Sequence, residues 1–124
     1  MLRISPIFEI NSKRRLCELC CTVSDDNALT YSINEDEKEI GVCQFKLTAD
    51  GGEILVLRNK EDYDDEDSLI IAGRAVLNFI EKNATKKAIY LDKATPNTAK
   101  RLGFIDGKLN LEGYFDNCCG SCKH

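Results

Sequence analysis

The first half of the chain alternates apolar and polar residues with the period of two that is typical of β-strands. Within residues 40–48 the odd-numbered positions are apolar or small, so one face of this strand is expected to be buried. Two earlier strands are predicted at residues 4–10 and 28–34, with the charged segment 35–38 as a hairpin tip. Pro6 cannot donate to a ladder, which confines the first strand to an edge of the sheet.

The second half predicts two buried strands joined by a long helix. A hairpin turn is expected at residues 50–52, Asp-Gly-Gly. Residues 54–57 and 88–91 are apolar on both faces, as expected for strands inside a sheet. Between them, Asp67 or Ser68 is expected to cap a helix that runs to about residue 84 and carries an apolar stripe. Because a helix connects the two strands, they are expected to be parallel.

Shorter elements complete the prediction near the two ends of the chain. Asn11 or Ser12 is expected to cap a short helix that leads into the first cysteines. Residues 96–102 predict another short helix, with proline in its first turn and Gly103 at its end. Residues 108–115 are expected to form a last strand.

These elements indicate a single α/β (α+β) domain over residues 1–124, built on a mixed, mostly antiparallel twisted sheet with a long helical crossover. The formal net charge of −4 argues against a surface for nucleic acid or an anionic membrane. No apolar run approaches the roughly 20 residues that span a bilayer. The features of a signal peptide are also missing, so a cytoplasmic protein is expected.

Apart from Cys43, every cysteine lies in one of two clusters near the ends of the chain. The clusters are Cys17, Cys20 and Cys21 at one end and Cys118, Cys119 and Cys122 at the other. Each contains a Cys-x-x-Cys unit, which in a reducing compartment indicates metal binding or redox chemistry rather than a structural disulfide. Two such units supply the four thiolates of a zinc site. The surplus thiols leave an iron–sulfur cluster or a redox response as alternatives.

The order of elements and two short motifs resemble the GCN5-related N-acetyltransferases, or GNAT family. Gly-Arg-Ala-Val-Leu, which starts at Gly73, resembles the beginning of the family's coenzyme-A-binding helix. Leu102-Gly103-Phe104 resembles the end of its next helix. The resemblance covers residues 40–115, and the first 39 residues are short where the family has two helices. It implies acetyl-CoA as cofactor and a small-molecule or protein amine as acceptor.

The resemblance also implies a set of cofactor-binding positions. They are Leu57, Arg58, Ser68, Gly73, Arg74 and Asn97. In the family, a backbone amide of the central strand polarises the acyl carbonyl, and here it would come from about Leu57 or Arg58. Ser68 aligns with the start of the family's glycine-rich phosphate loop, and Asn97 lies close to the position of an asparagine that contacts coenzyme A.

Four features depart from the family's pattern. Ile71 stands where the phosphate loop has its first glycine, and a β-branched residue does not easily adopt glycine geometry. The acidic segment 61–67 precedes the helix and would repel a pyrophosphate. Ala99 stands at the place of the family's tyrosine general acid, and Asp92 near the place of its asparagine. We therefore expect acyl-CoA to bind weakly.

Three classes of function follow from the sequence. The first is an acyl-CoA-dependent N-acetyltransferase-like protein of unknown acceptor, with Glu53 or Glu112 as general base and nothing to choose between them. The second is a non-catalytic protein of the same fold that binds metal or responds to redox through its cysteine clusters. The third is an interaction module that uses the acidic segment 61–67.

Overall fold

A mixed β-sheet is the framework of the molecule. The computed structural model describes residues 1–84 and 86–115. The elements in chain order are β1 (Leu2–Ile7), α1 (Ile10–Leu19), β2 (Leu29–Glu35), β3 (Lys38–Thr48), β4 (Gly51–Asn59), α2 (Glu66–Asn83), β5 (Lys87–Tyr90), α3 (Pro96–Leu102) and β6 (Lys108–Asn110). Among the described residues, no helix is long and apolar enough to cross a membrane.

The strands lie side by side in their order along the chain, from β1 to β6. All neighbours are antiparallel except β4 and β5, which run parallel where Gly52, Glu53 and Ile54 face Ala88, Ile89 and Tyr90. This confirms the predicted fold class and the parallel pair around the long helix. Pro6 lies on β1 at the sheet edge, as predicted.

The helices cover both faces of the sheet. The largest cluster of buried side chains joins α2 and α3 to one face, with Phe45, Ile54 and Leu77 fully buried in it. A smaller cluster on the other face joins α1 to the sheet through Leu16, Val42 and Val56. The alternation along β3 sets this division, because Val42 faces α1 whereas Phe45 faces α2.

Several boundaries differ from the predicted ones for local reasons. Gly51 and Gly52 lie within β4 rather than in the preceding turn. The carboxylate of Asp65 accepts from the Ser68 amide, so α2 begins earlier than the predicted cap. Glu9 likewise caps α1 in place of Asn11 or Ser12. The last strand ends at Asn110, because the chain turns there and the amide of Glu112 donates to the Asn110 side chain.

Gly73 lies in the interior of α2, where the helix packs closely against its neighbours. A Cβ atom at this position would lie 2.7 Å from Leu102 Cδ1 and 3.2 Å from Leu57 Cδ2. Those distances are too short for unstrained contact, so the absence of a side chain lets α2 approach both α3 and β4. Gly73 thus has a packing role irrespective of any ligand.

We predict that Gly73→Ala lowers the free energy of unfolding by about 1 kcal/mol. Overpacking a core costs about 1–3 kcal/mol, which exceeds the gain of about 1 kcal/mol in helix propensity. Urea denaturation measures the change. In a Leu102→Ala background the same substitution should cost less, because the obstructing methyl groups are gone. A Gly73→Ala protein that is more stable than the wild type would contradict the packing role.

Candidate functional site

β4 and β5 separate halfway along β4. Ile54 pairs with Phe45 and Val56 with Gln44, so Leu55 is an extra residue that forms a bulge in β4. The parallel pairing with β5 ends at this same point, where the Leu91 amide donates to the Ile54 carbonyl at 2.8 Å. Beyond the bulge, β4 remains paired with β3 on one side and faces a gap on the side of β5.

The carboxylate of Asp92 fills this gap. One of its oxygens, Oδ2, accepts from the Leu57 amide at 2.9 Å and from Arg58 Nε at 3.1 Å. The other, Oδ1, accepts from Arg58 Nη2 at 2.9 Å and from the Ala94 amide at 3.0 Å. The Asp92 side chain is 0% exposed and that of Arg58 is 26% exposed. The carboxylate is therefore buried, paired with a cation and fully hydrogen-bonded.

Thr95 makes a second contact between the loop after β5 and the bulged strand. Its hydroxyl donates to the Leu57 carbonyl at 2.9 Å and lies 2.6 Å from the hydroxyl of Tyr90. Burial raises the pKa of the Tyr90 phenol, so this group stays protonated. Both backbone polar groups of Leu57 that face the gap are thus bound by the chain itself.

The first turn of α2 borders the same region and is strongly acidic. Asp65 caps the helix, and its side chain accepts from the Ser68 amide at 3.2 Å. Glu66 and Asp67 follow in the first turn, where negative charge stabilises the helix dipole. Arg101 of α3 pairs with both, at 2.9 Å each. The positive end of the helix dipole is therefore already satisfied by carboxylates of this chain.

A groove separates this turn from the start of α3. Asp64 and Glu66 line one side of it and Asn97 the other. The acidic side chains make the groove unfavourable for an anion, at about 1 kcal/mol for each like-charge contact near the surface.

The predicted cofactor residues divide into two groups. Leu57 and Arg58 lie at the gap between β4 and β5, and Asn97 lies at the neighbouring groove. Ser68 and Gly73 are buried inside α2, and Arg74 is exposed on the same helix. The segment aligned with the family's phosphate loop is helical here, and the Ser68 hydroxyl donates to the Asp65 carbonyl at 2.7 Å. Whether these residues bind a cofactor stays a prediction.

Neither glutamate considered as general base is selected by the structure. Glu53 lies in β4 on the parallel pairing with Ile89, and Glu112 is exposed in the turn after β6. Ala99, at the family's tyrosine position, lines a cavity together with Tyr90 and Asp92.

The first cysteine cluster lies at the end of α1, on the face of the sheet opposite α2. Cys17 and Cys20 are buried against Leu16, Val42 and Val56. Burial raises the pKa of the Cys17 thiol to about 11 and that of Cys20 to about 12, so both are protonated at neutral pH. Cys21 is exposed, and its carbonyl accepts from Arg58 Nη1 at 3.2 Å.

The second cysteine cluster, Cys118, Cys119 and Cys122, lies outside the described residues. The shared metal site of both clusters therefore stays a prediction. Within residues 1–84 and 86–115, no three His, Cys, Asp or Glu side chains are arranged to hold a metal ion.

Two solved structures resemble this chain over most of its length. The ribosomal-protein-S18-alanine N-acetyltransferase of Escherichia coli gives a TM-score of 0.65 at 12% identity, covering 85% of this chain and 78% of its own. A protein of unknown function from meticillin-resistant Staphylococcus aureus, described as a probable acetyltransferase, gives 0.66 at 11% identity, covering 85% and 90%. The chain has the GCN5-related N-acetyltransferase fold. No family model and no curated protein matches its sequence.

The sequence does not reveal the hydrogen bonds that close the gap between β4 and β5. In the sequence, Asp92 stands out only as a departure from the family's asparagine, and no pattern marks Thr95. Asp92 and Thr95 lie 35 and 38 positions from Leu57 along the chain. One signal was present, because an aspartate that directly follows an apolar strand lies at the end of that strand in the sheet.

We predict that the protein, with no metal bound to its cysteines, loses stability as pH rises above about 9. The ordinary thiol pKa is 9.0 and the folded values for Cys17 and Cys20 are about 11 and about 12. Above about pH 9 the unfolded chain therefore binds fewer protons than the folded one, and the free energy of unfolding falls as pH rises toward the folded values. Thermal melts across this range measure the slope. Cys20→Ala should flatten it more than Cys21→Ala, and equal slopes would contradict the assignment.

We also predict that Cys17, Cys20, Cys119 and Cys122 bind one metal ion together. Such a site would contribute to folding, because it would cross-link the two ends of the chain. A chelator should lower the melting temperature, and Cys119→Ser should remove the metal, whereas Cys43→Ala should retain it. Elemental analysis of protein purified without oxygen decides the matter, and protein with neither zinc nor iron would contradict the site.

Proposed function

We propose that this protein is an acyltransferase of the N-acetyltransferase type, which holds an acyl group where β4 and β5 separate while an amine attacks it. The observation that carries this proposal is the Leu57 amide, which lies beyond the bulge and donates to an oxygen atom at 2.9 Å. That oxygen is Asp92 Oδ2, a stand-in for an acyl carbonyl oxygen on the same donor. A fixed N–H group at this position stabilises the negative charge that develops on the oxygen during attack.

The residues present fit the acyl end of acyl-CoA better than its pyrophosphate end. At the acyl end, Leu57 provides an amide donor and Arg58 a cation. At the other end, Asp65 occupies the helix cap and Asp64 and Glu66 line the groove. An acyl thioester would supply an activated acyl group, whose bond to sulfur would break as the bond to the amine forms, with the thiol as leaving group. The chain has no matching site for a pyrophosphate in the described region, so we propose weak binding of acyl-CoA.

The acceptor that suits this chemistry is an amine, either on a small molecule or on a protein. The Escherichia coli protein of the same fold is named for an alanine of ribosomal protein S18, which supports an α-amino group as the first acceptor to test. Glu53 or Glu112 would take the proton from the amine.

One observation favours a second candidate, a non-catalytic protein of the same fold. Asp92 already occupies the Leu57 amide. If the carboxylate never leaves, no acyl group can use that donor. The function would then reside in the cysteine clusters, through metal binding or a redox response.

We predict that acetyl-CoA binds more weakly than micromolar and that Asp64→Asn strengthens binding. Removal of one like charge near the surface is worth about 1 kcal/mol, or about fivefold in affinity, and more at low salt. Calorimetric titration measures the affinity. Glu18→Gln, on the exposed side of α1, is the matched control and should leave it unchanged. Submicromolar binding to the wild type would contradict the acidic-groove argument.

Acyl transfer itself is tested by mass spectrometry on a peptide with a free N-terminal alanine and on a polyamine, each incubated with acetyl-CoA and the protein. The expected result is an acetyl adduct on the amine. An absence of any adduct, together with no acetyl-CoA binding at low salt, would leave the non-catalytic candidate.

A further inference from the structure

The gap between β4 and β5 contains a ready-made oxygen-binding site. Three donors that converge there belong to β4 itself, namely the Leu57 amide and two nitrogens of Arg58. The fourth, the Ala94 amide, belongs to the loop that also carries Asp92. If that loop moved, the β4 donors would remain and would need another oxygen ligand.

We propose that Asp92 is an internal ligand that closes this site, and that the site opens only when the loop of residues 91–95 moves away from β4. This inference deepens the proposed function, on which it rests for the identity of the external ligand. The competing ligand would be the carbonyl or carboxylate oxygen of an acyl compound. Since Asp92 and that oxygen need the same amide, the two cannot be bound together.

The loop of residues 91–95 is suited to move away from β4. Its residues Leu91, Lys93 and Ala94 are exposed, so little apolar surface holds it down. Polar contacts fix it to β4: the Leu91 amide donates to the Ile54 carbonyl before the bulge, and beyond the bulge the Asp92 carboxylate accepts from the Leu57 amide and the Thr95 hydroxyl donates to the Leu57 carbonyl. If a ligand replaced these hydrogen bonds, no apolar core residue of the loop would become exposed.

The closed loop should reduce the apparent affinity for an external ligand by the fraction of molecules that are open. Weakening either contact should raise that fraction. Asp92→Asn keeps the shape but removes the charge that pairs with Arg58, and Thr95→Val removes the hydroxyl while leaving Asp92 in place. Each variant should bind acetyl-CoA about tenfold more tightly than the wild type.

The direct experiment replaces the internal ligand by a free one. In Asp92→Ala, sodium acetate is titrated and the backbone amide signals of Leu57 and Ala94 are followed by ¹H–¹⁵N NMR, with sodium chloride at matched ionic strength. We expect saturable shifts of Leu57 and a rise in melting temperature with acetate. The wild type and Asp106→Asn should show neither. Asp106 lines the cavity that Asp92 also lines, without contacting Leu57. The Asp106→Asn variant is therefore a control for the loss of one negative charge.

The outcomes separate this inference from the proposed function. Acetate binding at Leu57 in Asp92→Ala, with no acetyl-CoA binding to any variant, would support the internal ligand and contradict acyl transfer from coenzyme A. The internal-ligand proposal would be overturned if the wild type bound acetyl-CoA no more weakly than Asp92→Asn and Thr95→Val do. Asp92 would then be only the structural ion-pair partner of Arg58. If Asp92→Ala does not fold, these two milder variants carry the test.

Discussion

The ion pair of Asp92 and Arg58 is the interaction on which the arrangement of the site depends. It lies where β4 and β5 stop pairing. The Asp92 carboxylate accepts four hydrogen bonds there, in place of backbone hydrogen bonds between the two strands. Neither charge can be removed alone without leaving the other poorly solvated, at a cost of about 3–5 kcal/mol for a fully buried pair and less here, because Arg58 reaches solvent. The pair thus fixes the loop after β5 against β4.

The same principle recurs at the start of α2. The free amides of a helix N-terminus and its dipole attract an anion. In this chain Asp65 provides that anion from within, and Glu66 and Asp67 add to it before Arg101 balances them. The donors at Leu57 and those at the start of α2 are therefore both satisfied by the chain's own carboxylates. A ligand of the proposed sites would have to displace these carboxylates, and its affinity would depend on how readily they are displaced.

Local sequence patterns predict the sheet and its helices, but they do not predict that carboxylates of the chain occupy these hydrogen-bond donors. The alternation in β3 and the two apolar strands around α2 follow from burial, which a sequence displays directly, so the mixed sheet and its parallel pair are predictable from the sequence. The start of α2 was missed because Asp65 and Ser68 compete as caps, and their hydrogen bonds decide between them. Asp92 and Leu57 are in contact although they lie 35 positions apart along the chain. No periodic pattern of apolar and polar residues indicates such a contact. Gly73 is one of the predicted cofactor residues, and its packing distances explain the glycine without a ligand.

Arg58 connects the two features that the sequence presented as unrelated. Two of its nitrogens hold Asp92, and the third donates to the Cys21 carbonyl in the turn that ends α1. Cys21 has a positive φ of 59°, a conformation that a non-glycine residue keeps only when its surroundings fix it. A change of geometry at this turn, whether by a metal or by oxidation, would alter the orientation of the guanidinium that also anchors the internal ligand. The proposed acyl site and the first cysteine cluster thus share one guanidinium, which joins Asp92 to the Cys21 carbonyl.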